Sequence, residues 1–106
     1  MNIFAIESDK HGNIDWVRSA ISQDNLRVVK MVLESCQMLC TSLNIIYDQQ
    51  VTPYRSCHMN HPSTKWVRES SANFELLVEH TRALLAEYTE RFGKIHKCQG
   101  VLDQIL

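Results

Sequence analysis

The sequence is poor in the residues that interrupt regular structure. Its 106 residues include only three glycines and two prolines. Charge of neither sign dominates, since 11 lysines and arginines stand against 12 acidic residues. This balance excludes an overall basic field that would draw the protein to duplex nucleic acid or to a membrane surface. A hydrophobic content of 44% argues against long disordered segments.

Two kinds of hydrophobic segment are also missing. No stretch approaches the ~20 apolar residues that a membrane-spanning helix requires. The first ten residues, MNIFAIESDK, lack the positive start and the apolar length of a secretory leader. Four cysteines in a chain without a leader are typical of free thiols in a reducing compartment. We therefore expect a cytoplasmic protein that folds as one domain over residues 1–106.

The longest uninterrupted pattern predicts a central helix. It begins after Asp24, a favourable N-cap residue, and continues to about Tyr47 without glycine or proline. Its polar residues form one narrow stripe at helical spacing, and most other positions are apolar or small. The stripe consists of Arg27, Lys30, Glu34, Gln37, Thr41 and Asn44. We expect this helix to be central, with the stripe in a groove or facing a partner.

A second long helix is predicted from about Ser63 to Gly93. Pro62 suits a first helical turn, and Gly93 suits a C-terminal stop. The serine pair at 70 and 71 is expected to kink this helix. A loop over residues 48–61 connects the two long helices.

Shorter elements complete the predicted fold. The segment GNIDWVRSAIS predicts a helix of two to three turns, and QGVLDQIL can form a short closing helix. The composition of NIFAI allows one short amino-terminal strand. The fold class is therefore mainly α: a compact helical bundle with two long helices, a short amino-terminal helix and, at NIFAI, a possible strand.

Basic pairs stand at the starts of both long helices: Arg27 with Lys30, and Lys65 with Arg68. The helix dipole opposes cations at these positions by a few tenths of a kcal/mol. A bound anion would account for them, because it gains both the amino-terminal field and charge-assisted hydrogen bonds. The alternative is that the side chains are solvated or paired with neighbouring carboxylates.

Other polar and aromatic residues accompany these pairs. His61 and Asn73 lie near the second pair and can hydrogen bond to a base or a sugar. Trp66 can stack on a base, although packing in the core is the simpler alternative. The segment ERFGKIHK concentrates positive charge at the end of the second helix. Cations there are also stabilised by the dipole without any ligand.

Metal binding and catalysis are not favoured by the spacing. Cys36 and Cys40 share an apolar helix face, and CHMNH offers further ligands, but the paired Cys-x-x-Cys arrangement of structural zinc is absent. The chain has no glycine-rich phosphate loop, nucleophile elbow or zinc-protease helix. We therefore predict no metal, no cofactor and no assignable catalytic residue.

Three blocks of the sequence resemble a family of small tailed-phage and bacterial proteins. They are DNLRVVKMVLESCQMLCTSL, NHPSTKWVRESSANFELL and EYTERFGKIHK, and together they cover roughly half of the chain in consistent order. The chain departs from the family pattern at Asn25 and Leu26, which replace part of a charged segment, and at Phe92, where tyrosine is common. The resemblance implies a phage origin and action in the bacterial host cytoplasm, but it implies no reaction.

The motif positions of this family coincide with the polar groups described above. This overlap predicts a shared ligand-binding pocket. Its predicted residues are Arg27, Lys30, His61, Lys65, Trp66, Arg68, Asn73, Tyr88, Arg91, Lys94 and His96.

The leading functional hypothesis is a non-catalytic protein that sequesters a phosphate-bearing nucleotide, such as a host immune signal. A helical protein of this size encloses a pocket most easily between protomers, so we expect a homo-oligomer. One alternative is an enzyme acting on nucleotides or nucleic acid, such as a glycosidase, with Glu34, Glu69 or Asp24 as its acid or nucleophile. Another is a protein-binding inhibitor of a host factor.

Overall fold

The computed structural model of the protein describes residues 3, 6–8 and 10–106. Within these residues the chain forms five helices. Apart from an isolated antiparallel bridge between Ser8 and Ile14, no β-strand pairing is present in the described part of the chain. The predicted strand at NIFAI falls mainly on residues 2, 4 and 5, which lie outside the described residues. The mainly helical fold class with two long helices is confirmed.

Helix α2 (Asn25–Ile46) is the central element. It begins where predicted, because the Asp24 carboxylate accepts the backbone N–H of Arg27 at 2.8 Å and so caps the first turn. The helix packs against three others, which explains why so much of its circumference is apolar. Its buried residues include Val28, Val32 and Leu39.

The predicted second long helix is two helices. Helix α3 (Pro62–Glu69) ends at Ser70, which has an extended backbone with φ −155° and ψ 157°. Helix α4 (Ser71–Phe92) then begins, and Ser70 Oγ accepts the backbone N–H of Asn73 at 3.0 Å. The serine pair therefore produces a complete break instead of the predicted kink, because Ser70 supplies the N-cap of a new helix.

Two short helices close the bundle. Helix α1 (Trp16–Ile21) has Asp15 as its N-cap and packs on α4. Helix α5 (Cys98–Ile105) follows the left-handed Gly93, where φ is 66°, and packs on α2. The predicted helix stop at Gly93 is confirmed, since a residue without a side chain adopts this conformation at little cost.

One hydrophobic core joins these helices. The radius of gyration is 13.3 Å, close to the ~13 Å of a compact chain of this length. The largest fully buried apolar side chains are Met38, Leu39, Leu77, Leu84 and Leu102. Among the helices of the described residues, none is long and apolar enough to cross a membrane.

Candidate functional site

A groove opens on the surface between α2 and the segment that leads into α5, with a cavity volume of about 430 Å³. This volume lies within the range of ~300–1,000 Å³ that is typical of small-molecule sites. We call it the α2–α5 groove. Its lining residues are Val29, Lys30, Leu33, Glu34, His96 and Lys97.

Charged and apolar side chains are segregated along the α2 side of this groove. Lys30 and Glu34 are one helical turn apart and therefore lie on the same face of α2. Val29 and Leu33 repeat at the same spacing and supply an apolar wall. The groove therefore offers an ammonium and a carboxylate beside a surface on which an apolar ring can rest.

The opposite side of the groove comes from residues just after α4. The His96 ring packs edge-on against Tyr88, with ring centroids 4.8 Å apart at 77°. Its Nδ1 accepts the backbone N–H of Cys98 at 3.0 Å. These two contacts hold the imidazole at the groove, and Lys97 brings a second ammonium group from the same segment.

The groove combines cations from two segments that are far apart in the sequence. Lys30 and Lys97 can each donate charge-assisted hydrogen bonds to one anionic group. His96 and Glu34 place an imidazole and a carboxylate in the same cavity. Of the predicted ligand-binding residues, Lys30 and His96 are brought together here, and Tyr88 supports His96 from the buried side.

Arg68 belongs to a different part of the surface. Its guanidinium donates to the Met59 carbonyl oxygen at 2.7 Å. It also lines a second, mostly apolar cavity of about 260 Å³ with Leu43, Tyr47 and Phe74. Lys30 and Arg68 thus line separate cavities of one chain.

The aromatic and amide residues of the second block have contacts within the fold. Trp66 stacks on Trp16, with ring centroids 5.5 Å apart and an interplanar angle of 27°. The Asn73 amide donates to the Trp66 carbonyl oxygen at 2.9 Å and so braces α3 against α4. His61 is the N-cap of α3, where its Nδ1 accepts the Ser63 N–H at 3.1 Å.

The remaining predicted cations lie outside the α2–α5 groove. Arg27 is half-exposed and lies 3.8 Å from the Asp24 carboxylate. Lys65 and Lys94 are exposed. The Arg91 guanidinium makes four hydrogen bonds within the protein, to Glu87 and to the turn between α1 and α2.

Glu34 and Lys97 are groove residues that the predicted ligand set did not include. Glu34 entered only as a candidate acid of an enzyme, and Lys97 only as part of a charged helix end. Glu34 and Lys97 line one groove only because α5 docks against α2. Residues so distant in the sequence leave no periodic pattern from which their proximity could be predicted. Lys30 was predicted because it belongs to a basic pair at the start of α2, which is a local property of the sequence.

Within the part of the chain that the structure describes, no group of three or more histidine, cysteine, aspartate or glutamate side chains could hold a metal ion. Comparisons with protein-family models, with curated proteins and with solved structures found no match. The chemistry of the α2–α5 groove is therefore the basis on which a function can be assigned.

Proposed function

We propose that the protein binds a phosphate-bearing nucleotide in the α2–α5 groove and sequesters it without turnover. In this proposal it is a phage-encoded sponge that acts in the bacterial cytoplasm on a host signalling nucleotide. The observation that carries the proposal is the meeting of Lys30 and Lys97, from separate segments, at one groove of ligand size. Phosphate oxygens accept hydrogen bonds from both ammonium groups, and the apolar wall accommodates a base or sugar.

Isothermal titration tests this proposal with inorganic phosphate, AMP, ATP and cyclic di-AMP as probes. We expect at least one nucleotide to bind more tightly than inorganic phosphate, because the wall formed by Val29 and Leu33 contacts the nucleoside. Substituting Lys30→Gln or Lys97→Gln should each raise the Kd by about tenfold, as expected when one charged hydrogen bond is lost.

The matched control is Lys65→Gln, which removes an exposed lysine on α3, away from the groove. It should leave the Kd within about twofold. Absence of binding across the whole nucleotide panel would overturn the proposal. An equal loss of affinity in Lys65→Gln would also overturn it, because it would indicate a general charge effect.

Glu34 gives a specific reason to test a second function, an enzyme that cleaves the bound nucleotide. A carboxylate beside an imidazole and ammonium groups is the arrangement that general acid–base chemistry needs. Chromatography of the nucleotide after long incubation distinguishes the two functions, since a sponge returns its ligand unchanged. Turnover that is lost in Glu34→Gln while binding persists would favour the enzyme.

We further propose that the functional form is a homo-oligomer. Among the described large hydrophobic side chains, Ile95 and Leu26 are the most exposed, at 74% and 70%. Ile95 precedes His96, and Leu26 lies one turn before Lys30, so both adjoin groove residues. A second copy that covers them would enclose the groove.

Light scattering during size-exclusion chromatography tests the oligomer. We expect a mass of at least twice the 12.3 kDa of a single chain. Substituting Ile95→Ser together with Leu26→Ser should shift the protein to the monomer. A monomeric wild-type protein at micromolar concentration contradicts this part of the proposal and leaves nucleotide binding to be judged by titration.

A further inference from the structure

A cluster of reactive side chains lies at the start of α5, beneath the groove. The Tyr54 hydroxyl is 3.3 Å from the Cys98 sulfur. The Cys36 thiol donates to the Cys98 carbonyl oxygen, which lies 3.9 Å from the Cys36 sulfur. We call Cys36, Tyr54 and Cys98 the thiol cluster. Its members come from α2, from the loop before α3 and from α5.

The two thiols of the cluster are chemically unequal. Hydrogen bonds from Cys36 and Tyr54 lower the pKa of Cys98, although burial opposes this shift. The same contact with Cys98, together with burial, raises the pKa of Cys36. Cys98 is therefore the more acidic thiol of the pair, and Cys36 is the less acidic one.

We propose that Cys36 and Cys98 form a redox site that a hydroperoxide converts into an intrachain disulfide between α2 and α5. The Cys98 thiolate attacks a peroxide oxygen, the O–O bond breaks, and the products are a sulfenic acid on Cys98 and hydroxide or alkoxide. Cys36 then attacks the Cys98 sulfur, the S–O bond breaks, and water leaves with the Cys36 proton. The two sulfurs together lose two electrons, and the hydroperoxide gains them as it becomes an alcohol or water.

Cys36 is the partner that the structure favours for Cys98. The Cys36 thiol already contacts the Cys98 carbonyl oxygen at 3.9 Å, and α5 packs on α2, so both cysteines belong to one helix interface. Burial raises the pKa of the Cys40 thiol, and hydrogen bonds with the Thr52 side chain and the Tyr54 backbone only partly oppose this shift, so Cys40 is less acidic than Cys98.

The access of an oxidant to the two buried thiols depends on how α5 is held in the fold. Cys36 and Cys98 are fully buried, so a small oxidant reaches them through local opening of structure. Helix α5 is eight residues long and has its main contacts with α2. A short helix that packs mainly on one neighbour opens more readily than a central helix that packs on several. Once formed, the disulfide closes this route by fixing α5 to α2.

Treatment of the protein with hydrogen peroxide tests this site. Intact-mass measurement should show the loss of two hydrogens, and peptide mapping under non-reducing conditions should join the peptides that contain Cys36 and Cys98. The melting temperature should rise on oxidation and return when a thiol reductant is added. Cys57→Ser removes a half-buried thiol outside the cluster and should retain all three effects.

Two variants report on the mechanism. Cys36→Ser should form no disulfide, and its Cys98 sulfenic acid should be trapped by dimedone. Tyr54→Phe removes the hydroxyl beside Cys98, so the pH at which disulfide formation reaches half its maximal rate should move upward. The peptide mapping of the wild-type protein tests the disulfide even when either variant is unstable.

Three outcomes overturn the proposal. The first is a wild-type protein in which peroxide oxidises Cys57 or Cys40 while Cys36 and Cys98 remain thiols. The second is a Cys36–Cys98 disulfide that forms only in denaturant, which would assign the pairing to the unfolded chain. The third is a wild-type protein in which Cys36 and Cys98 remain reduced after hydrogen peroxide has oxidised a small free thiol under the same conditions.

Discussion

The guanidinium of Arg91 links the end of α4 to the turn between α1 and α2. It donates to the carbonyl oxygens of Ile21 and Gln23 at 2.8 and 2.7 Å and to the Asn25 side chain at 3.1 Å. Its Nε donates to Glu87 at 2.7 Å. The planar fork of an arginine can make these bonds simultaneously, which a lysine cannot do. Arg91 therefore stabilises the fold, although its residue type had placed it among the predicted ligand-binding residues.

Substituting Arg91→Ala should lower the free energy of unfolding by about 2–3 kcal/mol, because several charge-assisted hydrogen bonds are lost together. Arg91→Lys should recover only a minor part of the loss. Urea denaturation measures both effects. The control is Arg82→Ala, an exposed position on the same helix, which should change stability by about 0.5 kcal/mol or less. Equal stability of the Arg91 and Arg82 variants would contradict this structural assignment.

At the scale of elements, the polar stripe of α2 has two different environments. Its first half, represented by Lys30 and Glu34, lines the α2–α5 groove. Its second half is buried under the loop that follows the helix, where Thr41 Oγ1 accepts the Cys57 N–H at 3.0 Å. The stripe was predicted to lie in a groove or face a partner; Lys30 and Glu34 line the α2–α5 groove, whereas Arg27 lies outside it. Its periodicity could not indicate where the loop would begin to cover it.

Asn44 is the main anchor of this loop. Its side-chain oxygen accepts the Val51 N–H at 2.9 Å and the Thr52 hydroxyl at 3.1 Å, and its Nδ2 donates to the Tyr54 carbonyl oxygen at 3.0 Å. Asn44→Ala should reduce stability by about 2 kcal/mol, since buried polar groups lose their partners. Hydrogen exchange should become faster at the Val51 amide. The Cys57 amide, held by Thr41, is the internal control and should remain protected.

A single side chain caps the start of α4 at the break that separates it from α3. Ser70→Ala removes the oxygen that accepts the Asn73 N–H, and we expect a loss of about 1 kcal/mol, as is typical for an N-cap. Ser71→Ala provides the matched control, because Ser71 is an exposed first residue of α4 and alanine suits a helix. Thermal denaturation should show a lower melting temperature only for Ser70→Ala. A shared decrease would mean that the cap is not the stabilising feature.

At the scale of the whole molecule, the packing of α1 on α4 includes a buried imidazole. His80 is 1% exposed, and its Nδ1–H donates to the Trp16 carbonyl oxygen at 2.7 Å. The Trp16 ring lies edge-on to it, with centroids 5.8 Å apart. Burial lowers the pKa of His80, and the hydrogen bond to Trp16 only partly opposes this shift. The folded protein therefore holds His80 as a neutral ring.

This burial makes global stability depend on pH. Below the ordinary histidine pKa of about 6.5, the unfolded chain binds a proton at this position and the folded chain does not. Stability is therefore fully present above that pH and falls as the pH decreases toward the folded pKa, by at most about 1.4 kcal/mol per pH unit. Urea midpoints between pH 7 and pH 5 should show this decrease. In His80→Gln the slope should be smaller, even though the variant is less stable at neutral pH.

The sequence by itself determined where the helices begin and end. Asp24, Pro62 and Gly93 act on the backbone within one helical turn, and apolar periodicity extends over neighbouring residues only, so these predictions required no tertiary information. Ser70 also acts on the backbone within one helical turn. However, the sequence pattern of a kinked helix is similar to that of two helices separated by a break. Its exact effect was decided by how α3 and α4 pack.

Only the tertiary structure decided which side chains meet. Lys30 and Lys97 line one groove, and the Cys36 thiol contacts the Cys98 carbonyl oxygen, because α5 packs on α2 although the two helices are far apart in the sequence. Arg68 and Arg91 resemble Lys30 in charge, yet their partners are carbonyl oxygens of the protein itself. The physical reason is that helix formation depends on interactions between near neighbours, whereas a binding site depends on the relative placement of surfaces that the whole core fixes.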